Sequence, residues 1–275
     1  MEPFAAYDAD VARKHERLKE RLRELGSVVV GFSGGVDSGV LVQVAHEALG
    51  NRALAVTASS ATLPQAEFEA AGRVAREIGA AHVVLESHEI ERGDFAKNLG
   101  NRCYFCKSEL FELLGAEAAR RGFAHVAYGA TVDDLGDHRP GMDAAREAGA
   151  AAPLLDVGLT KREIRAIGRE RGLSIWDKPS FACLSSRFAY GNVITVDKLS
   201  KVESAEALLR ARGFRQFRVR VHDGLARIEV PAEDLDRFLS SELRAEVVEH
   251  LKKLGYTYVT LDLQGFRSGS MNEAS

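Results

Sequence analysis

The sequence has little cysteine, proline or tryptophan, and it has no long apolar run. Its 275 residues include 3 cysteines, 6 prolines and 1 tryptophan. An odd and sparse set of cysteines excludes a disulfide scaffold and indicates a reducing compartment, so we expect a cytoplasmic location. No stretch of about 18 apolar residues occurs, and the charged amino-terminal segment has no apolar centre. Neither a membrane span nor a signal peptide is therefore predicted.

A strong charge of one sign is also missing. The chain carries 37 basic and 40 acidic residues, which gives a net charge of −3. A net charge this close to zero does not favour nucleic acid or an anionic membrane as a partner, and we predict neither. Hydrophobic residues make up 45% of the chain. That content is enough for a sizeable core and excludes a largely disordered protein.

The order of short apolar runs and helical patterns predicts two domains. As far as about residue 190, strands alternate with helices, which is typical of βαβ units in a doubly wound α/β fold with a parallel sheet. Further along, we expect a strand at 192–196, a helix capped by Asp197, two strands forming a hairpin, a helix and a last strand. That βαββαβ order is ferredoxin-like. The predicted domains are residues 1–190 and a smaller α+β domain, 191–275.

A glycine-rich turn follows the first predicted strand. It reads Ser33-Gly34-Gly35-Val36-Asp37-Ser38 and precedes a predicted helix. Glycines let backbone amides approach an anion, and a helix N-terminus adds unpaired N–H groups and a positive dipole. The turn has no lysine, so it is not the Walker A pattern, and its glycine spacing does not match G-x-G-x-x-G either. We predict a phosphate-binding loop here; the alternative is a turn without a ligand.

The three cysteines are unevenly placed. Cys103 and Cys106 form a C-x-x-C pair, and Cys183 lies 77 residues further along the chain. By spacing alone, the pair fits half of a zinc site, a redox pair, an iron–sulfur site or two small buried residues. Three cysteines cannot form a closed Cys₄ zinc site. Three thiolates around a [4Fe–4S] cluster leave one iron without a protein ligand, which suits delivery of an extra sulfide.

Arginines are concentrated in one part of the smaller domain. Five fall within eleven residues: Arg210, Arg212, Arg215, Arg218 and Arg220. Strand alternation places Arg218 and Arg220 on one face, and on the return strand Arg227 and Glu229 share a parity. Two arginines on one face can bind a phosphate or carboxylate bidentately. The alternative is a solvated face with ordinary cross-strand ion pairs.

The loop at residues 33–38 resembles the PP-loop of the N-type ATP pyrophosphatases, which include GMP, NAD and asparagine synthetases and tRNA-thiolating enzymes. The resemblance implies a PP-loop α/β domain that binds ATP and transfers AMP to a substrate with release of pyrophosphate. It implies that Asp37 and Asp134 hold Mg²⁺, although Asp133 and Asp134 could instead form a solvated turn. The implied ATP-binding residues are Ser33, Gly34, Gly35, Val36, Asp37, Ser38, Thr57, Ala58, Gly129 and Asp133.

Four further stretches are similar to the LarE family of ATP-dependent sulfur transferases: 101–107, 133–141, 178–187 and 261–270. The resemblance implies that the chain makes the organic ligand of the nickel-pincer nucleotide, the cofactor of lactate racemase. The implied substrate is a small nucleotide, pyridinium-3,5-biscarboxylic acid mononucleotide. ATP adenylates one of its carboxylates, and sulfur then displaces AMP to give a thiocarboxylate. A homo-oligomer and a transient sulfide or cluster donor are also implied.

The three cysteines match one branch of that family. In this branch Cys103, Cys106 and Cys183 would bind a [4Fe–4S] cluster, whereas in another branch the cysteine at the position of Cys183 is a sacrificial sulfur donor. The implied catalytic residues are Cys183, Asp37 and Arg187, and the implied substrate-binding residues are Glu206, Arg218, Arg220 and Glu229. A tRNA-thiolating enzyme, an ammonia-using ligase and a non-catalytic nucleotide-binding module are the remaining alternatives.

Overall fold

The structure, a computed structural model, describes residues 5–136 and 140–267, so parts of two of the stretches quoted above lie outside the described residues. The strands are β1 (Val28–Gly31), β2 (Ala53–Ser59), β3 (Ala81–Glu86), β4 (His125–Ala127), β5 (Arg218–His222), β6 (Leu225–Glu229) and β7 (Tyr258–Leu261). The α-helices are α1 (Ala9–Leu25), α2 (Val36–Leu49), α3 (Gln65–Ile78), α4 (Gly93–Ala96), α5 (Arg102–Arg121), α6 (Pro140–Glu147), α7 (Pro153–Asp156), α8 (Lys161–Glu170), α9 (Val196–Ala211) and α10 (Ser241–Lys253).

The chain divides into two compact units. The first comprises residues up to Glu89 together with Asn101–Phe181, and the second comprises Ile90–Gly100 together with the residues from Ala182 onward. The second unit therefore begins before residue 190, and it also includes a short segment from the first half of the chain, Ile90–Gly100. Hydrogen bonds account for this, because the Asn98 side-chain amide donates to the carbonyl of Ala189 at 2.7 Å.

The first unit is built around a parallel sheet. Its four strands lie in the order β3-β2-β1-β4, and all neighbouring pairs are parallel. Val28 and Val30 of β1 pack into a core with α1, α2, α3 and α8, whereas Val29 packs into a second core with α5 and α6. Helices therefore cover both faces of the sheet, and the predicted doubly wound α/β fold is confirmed.

The strand order reverses at β1, which makes the carboxyl end of this strand a candidate binding position. From β1 the chain moves to β2 on one side of the sheet, and β4 later joins on the other side. In open parallel sheets, ligands bind outside the carboxyl ends of the strands where the order reverses in this way. The glycine-rich turn begins two residues after the last residue of β1, so the topology places it at this position.

The second unit contains a three-stranded sheet in the order β5-β6-β7. β5 and β6 form the predicted antiparallel hairpin, and β7 pairs with β6 in parallel. The predicted strand at 192–196 is wrong. Its Ile194 N–H donates to the carbonyl of Ala96, and its last residue, Val196, is already helical. Within the described residues, the ferredoxin-like pattern therefore lacks its first strand.

The cap of α9 also differs from the sequence-based expectation. The hydroxyl of Thr195, rather than the carboxylate of Asp197, accepts a hydrogen bond from a backbone amide of the first turn. Asp197 instead lies inside the helix and pairs with Lys201 one turn later, at 2.7 Å. A hydroxyl in the N-cap position satisfies an amide that has no partner within the helix.

Among the described residues, no helix has the length and apolar character needed to cross a membrane.

The assignment of Thr195 as the N-cap of α9 can be tested by two alanine substitutions. Thr195→Ala should lower the free energy of unfolding by about 1 kcal/mol, because the first turn of α9 loses its cap. Asp197→Ala, the matched control, should cost about 0.5 kcal/mol or less, because it removes an exposed ion pair. Urea denaturation of both variants measures the difference. A larger loss for Asp197→Ala than for Thr195→Ala would contradict the assigned cap.

Candidate active site

The glycine-rich turn, which we call the phosphate loop (residues 33–38), joins β1 to α2. The hydroxyls of Ser33 and Ser38 lie 3.2 Å apart and hold the two ends of the loop together. Gly34 has φ +73°, and a Cβ atom on it would lie 3.0 Å from the Glu67 carbonyl oxygen of α3. A side chain at this position is therefore excluded by both conformation and space. No side chain caps α2, so its first amides can bind an anion.

A second loop lies directly against the phosphate loop. A Cβ atom on Gly129, which follows β4, would lie 3.1 Å from the backbone nitrogen of Ser38 and 3.3 Å from the carbonyl carbon of Asp37. A side chain at this position would therefore push the two backbones apart by a few tenths of an ångström. The structure thus brings together two of the three segments that the resemblance implies bind ATP.

Asp37, in the first turn of α2, has an unfavourable environment for its negative charge. The pKa of the Asp37 carboxyl is raised to about 6, chiefly by burial and in smaller part by the nearby carboxylates of Asp134 and Asp133, against the opposing effect of Lys161 and Arg165. A buried carboxylate with carboxylate neighbours is stabilised by a bound cation. A perturbed pKa of this kind in a crevice is typical of a functional site.

The carboxylates of Asp133 and Asp134 have definite partners. Asp134 is buried, with 7% of its surface exposed. It accepts hydrogen bonds from the Thr131 amide at 2.9 Å and from the Lys161 ammonium at 3.1 Å. Asp133 is exposed and accepts a hydrogen bond from the backbone N–H of Lys161 at the start of α8. The alternative that Asp134 lies in a solvated turn is therefore wrong, because its side chain is buried in the first unit.

The donor set here fits magnesium bound with a nucleotide. Among the residues that the structure describes, no three His, Cys, Asp or Glu side chains are grouped so as to hold a metal ion by themselves. Mg²⁺ is usually bound by one or two carboxylates, with substrate phosphates and waters completing the octahedron. Asp37 and Asp134 are two carboxylates of the required kind beside the phosphate loop.

Thr57, at the end of β2, has its hydroxyl engaged within the sheet. It donates to the carbonyl of Phe32 at 2.7 Å and lies 2.9 Å from Nε2 of His82. Its neighbour Ala58 is partly exposed. The Thr57 hydroxyl thus fixes the start of the phosphate loop to β2. The contact of His82 could not be predicted from the sequence, because histidine spacing carries no information on contacts between strands.

The cysteines are divided between the two units. Cys103 and Cys106 lie near the start of α5, three residues apart, so they share one face of that helix. Cys103 is exposed, and Cys106 and Cys183 are partly exposed. Cys183 belongs to the second unit and immediately precedes a short 3₁₀-helix, Leu184–Arg187. All three lie within the described residues, and none forms a disulfide.

Arg187 of the second unit is fully buried and engaged by the protein. Its guanidinium forms a bidentate ion pair with Glu206 of α9, with both N···O distances 2.8 Å. It also donates to the carbonyls of Ala182 at 2.7 Å and Cys183 at 3.0 Å. In this unit, Arg187 therefore contacts the backbone of Cys183 and orients the segment that carries the thiol.

Two further arginines occupy one face of the hairpin. Arg218 lies opposite Glu229, and Arg220 lies opposite Arg227, which confirms the predicted common face. Arg218 and Arg220 are only 4% and 6% exposed, so the alternative of a solvated face is wrong.

Their contacts leave this part of the second unit with an excess of positive charge. Arg220 pairs with the fully buried Glu229 at 3.0 Å, and Arg218 stacks over the ring of Phe266 at 5.1 Å. Burial, followed by the charge of Arg187, lowers the pKa of Arg218 to about 10. Three buried arginines and two buried glutamates carry a net positive charge, which favours an anionic ligand.

Comparison with known proteins agrees with this geometry. Residues 11–108, which include the phosphate loop, match the NAD synthase family. The chain is 38% identical over 266 residues to the pyridinium-3,5-bisthiocarboxylic acid mononucleotide synthase of Lactiplantibacillus plantarum, a match that covers 96% of each chain. The chain belongs to the LarE family. Because this match covers nearly the whole chain, the LarE relationship extends over both units.

Two uncharacterized proteins are also similar to this LarE-family chain. A protein of Synechocystis sp. is 44% identical over 259 residues, which cover 94% of this chain and 97% of the relative. A protein of Methanocaldococcus jannaschii is 29% identical over 259 residues, which cover 93% of this chain and 98% of the relative.

The raised pKa of Asp37 predicts that its negative charge lowers the stability of the folded protein. A carboxyl with a pKa near 6 in the folded protein and about 4 in the unfolded chain lowers stability as pH rises between these values, and the loss persists above pH 6. Asp37→Asn should therefore raise the free energy of unfolding at pH 7.5 by about 3 kcal/mol in metal-free buffer, and the gain should vanish near pH 4. Urea denaturation across this pH range measures the gain. A variant less stable than wild type at pH 7.5 would contradict the account.

The buried Arg187–Glu206 pair predicts strong coupling. Arg187→Met and Glu206→Leu should each lower the free energy of unfolding of the second unit by about 3–5 kcal/mol, because each leaves a buried charge without its partner. The double variant should lose much less than the sum of the two single losses. Denaturation followed by circular dichroism provides the double-mutant cycle, and additive losses would contradict the pairing.

Proposed function

We propose that this protein is an ATP-dependent sulfurtransferase that converts a carboxylate of pyridinium-3,5-biscarboxylic acid mononucleotide to a thiocarboxylate. The observation that carries the proposal is the 38% identity, over 96% of the chain, to an enzyme named for the bisthiocarboxylic product. The phosphate loop and the buried arginines support it, because the reaction needs a nucleotide site and an anion site.

The chemistry requires activation of the carboxylate. A carboxylate resists nucleophilic attack because oxide would be the leaving group. In the proposed reaction, a carboxylate oxygen attacks the α-phosphorus of ATP and pyrophosphate leaves. A sulfur nucleophile then attacks the acyl carbon, and AMP leaves with the bridging oxygen. Hydrosulfide or a thiolate of low pKa is a competent nucleophile for the second step.

The residues of the first unit have distinct proposed roles. The amides of Gly34, Gly35 and Val36 and the hydroxyls of Ser33 and Ser38 bind the β- and γ-phosphates and stabilise the departing pyrophosphate. Thr57, Ala58 and Gly129 line the nucleotide, and Asp133 orients the loop beside it. Asp37 and Asp134 hold Mg²⁺, which neutralises phosphate charge when it is bound. The raised pKa of Asp37 supports this assignment, because a bound cation would favour its charged form.

For the second unit, we propose that Arg218 and Arg220 bind an anionic group of the substrate and that Glu206 and Glu229 hold the arginines in place. The burial of these four side chains and their excess positive charge support the proposal. With a net charge of −3, the whole chain is a weak candidate for binding tRNA, so a small nucleotide is the proposed partner. We further propose a cytoplasmic homo-oligomer that receives sulfide from a transient donor.

The sulfur source is proposed from the three cysteines. We propose that Cys103, Cys106 and Cys183 ligate a [4Fe–4S] cluster, in line with the three-cysteine branch that the sequence resembles. The shared helix face of Cys103 and Cys106 supports their pairing as ligands. A cluster with three protein ligands supplies an iron that can hold an additional sulfide. Arg187 positions Cys183 in this proposal. The alternative is that Cys183 gives up its own sulfur.

One assay tests the proposed reaction. Anaerobically purified protein supplied with MgATP, sulfide and pyridinium-3,5-biscarboxylic acid mononucleotide should release AMP and pyrophosphate. The product should show the mass change of one oxygen replaced by sulfur. Cys183→Ala should abolish the product, with an effect of at least about 10²-fold. Labelled sulfur found in RNA and absent from the nucleotide would contradict the proposal.

The source of sulfur needs separate measurements. The cluster proposal predicts iron and sulfide in the purified protein and unchanged Cys183 after turnover. Cys103→Ala should lose most of the bound iron. If Cys183 is sacrificial, its peptide should become lighter by one H₂S after a single turnover. Iron-free protein with full multiple-turnover activity would contradict the cluster.

A further inference from the structure

The phosphate loop has no lysine of its own, but a lysine from a distant part of the first unit contacts it. The ammonium of Lys178, 144 residues after Gly34, donates to the Gly34 carbonyl at 3.0 Å. The same ammonium pairs with the carboxylate of Glu67 in α3 at 2.7 Å, and the two side chains are only 18% and 11% exposed. A partly buried ammonium therefore joins the loop, α3 and the segment around Lys178.

The segment that carries Lys178 is held firmly. Arg165 of α8 donates to the carbonyl of Trp176 at 2.9 Å and to that of Lys178 at 2.8 Å. Ile175 packs so closely on α2 that a Cβ atom on Gly39 would lie 2.8 Å from its Cδ1 atom. Contacts with both α2 and α8 thus hold residues 175–178 in place, so the backbone of Lys178 has a fixed position.

The contact with the Gly34 carbonyl has a consequence for the neighbouring amide. A peptide unit is planar and trans, so the carbonyl of Gly34 and the N–H of Gly35 point in opposite directions. The flanking glycines would otherwise let this peptide rotate easily. Because Lys178 holds the carbonyl on its own side, the Gly35 N–H is directed to the other side.

We infer that Lys178 is a positioning residue for the triphosphate, with Glu67 as its counter-ion. It fixes the peptide between Gly34 and Gly35 so that the amide donates to the β- and γ-phosphates before ATP arrives. Pre-organisation of this kind raises affinity by removing the cost of ordering the loop. The inference rests on the proposed function only in taking ATP as the ligand. It gives Lys178, which lies outside residues 33–38, a role in a loop that has no lysine of its own.

Binding of three ligands tests the assignment. In Lys178→Met, the Kd for MgATP and for Mg-pyrophosphate should rise by about tenfold, because the loop amide is no longer oriented. The Kd for AMP should change by less than about twofold, because AMP has no β- or γ-phosphate. Lys178→Arg should restore part of the ATP affinity, since its guanidinium can donate to both the carbonyl and the carboxylate. Isothermal titration calorimetry measures all three ligands.

The chain offers a matched control lysine. Lys14 of α1 donates to the carbonyl of Gly158 at 3.0 Å and pairs with Glu163 at 2.6 Å, which repeats the pattern of contacts at a different place in the same unit. Lys14→Met should lower the thermal unfolding midpoint to a similar extent as Lys178→Met but leave the Kd for MgATP unchanged.

Two results would overturn the inference. The first is an unchanged Kd for MgATP in Lys178→Met. The second is an equal loss of ATP and AMP affinity, which would mean a general disturbance of the pocket. If Lys178→Met does not fold, equal ATP affinities of Lys178→Arg, Glu67→Gln and wild type would overturn it. Failure of the wild-type protein to bind ATP would instead contradict the proposed function.

Discussion

The close approach of backbone segments at the carboxyl end of β1 is the constraint on which the candidate ATP site depends. Gly34 lies against α3, and Gly129 lies against the first turn of α2, so closely that a Cβ atom at either position would crowd the neighbouring backbone. These contacts bring the loop after β4 beside Asp37.

The second unit uses buried charge differently. Arg187 and Glu206 neutralise each other and hold the backbone next to Cys183. On the hairpin, Arg218 and Arg220 share a buried face with Glu229, and the three buried arginines of this unit outnumber its two buried glutamates among the described residues. Desolvating this excess positive charge costs free energy that an anionic ligand would recover. We interpret Arg187–Glu206 as a structural ion pair and Arg218 and Arg220 as the residues proposed to bind an anionic ligand.

Much of this arrangement could be predicted from sequence because it depends on local patterns. Strand alternation predicted the common face of Arg218 and Arg220, and alternating elements predicted the parallel sheet. The predicted strand at 192–196 failed because Thr195 caps a helix there, and strand propensity does not weigh such competing hydrogen bonds. Lys178 was missed because its contact joins residues 144 apart, a distance over which sequence spacing carries no information.

The central claim is that ATP activates a carboxylate of the substrate before sulfur enters. The most direct measurement is the fate of carboxylate oxygen. With substrate labelled by oxygen-18 in its carboxylates, the account predicts one labelled oxygen in the released AMP for each thiocarboxylate formed, because the bridging oxygen leaves with phosphorus. Thiocarboxylate formed together with unlabelled AMP would contradict it.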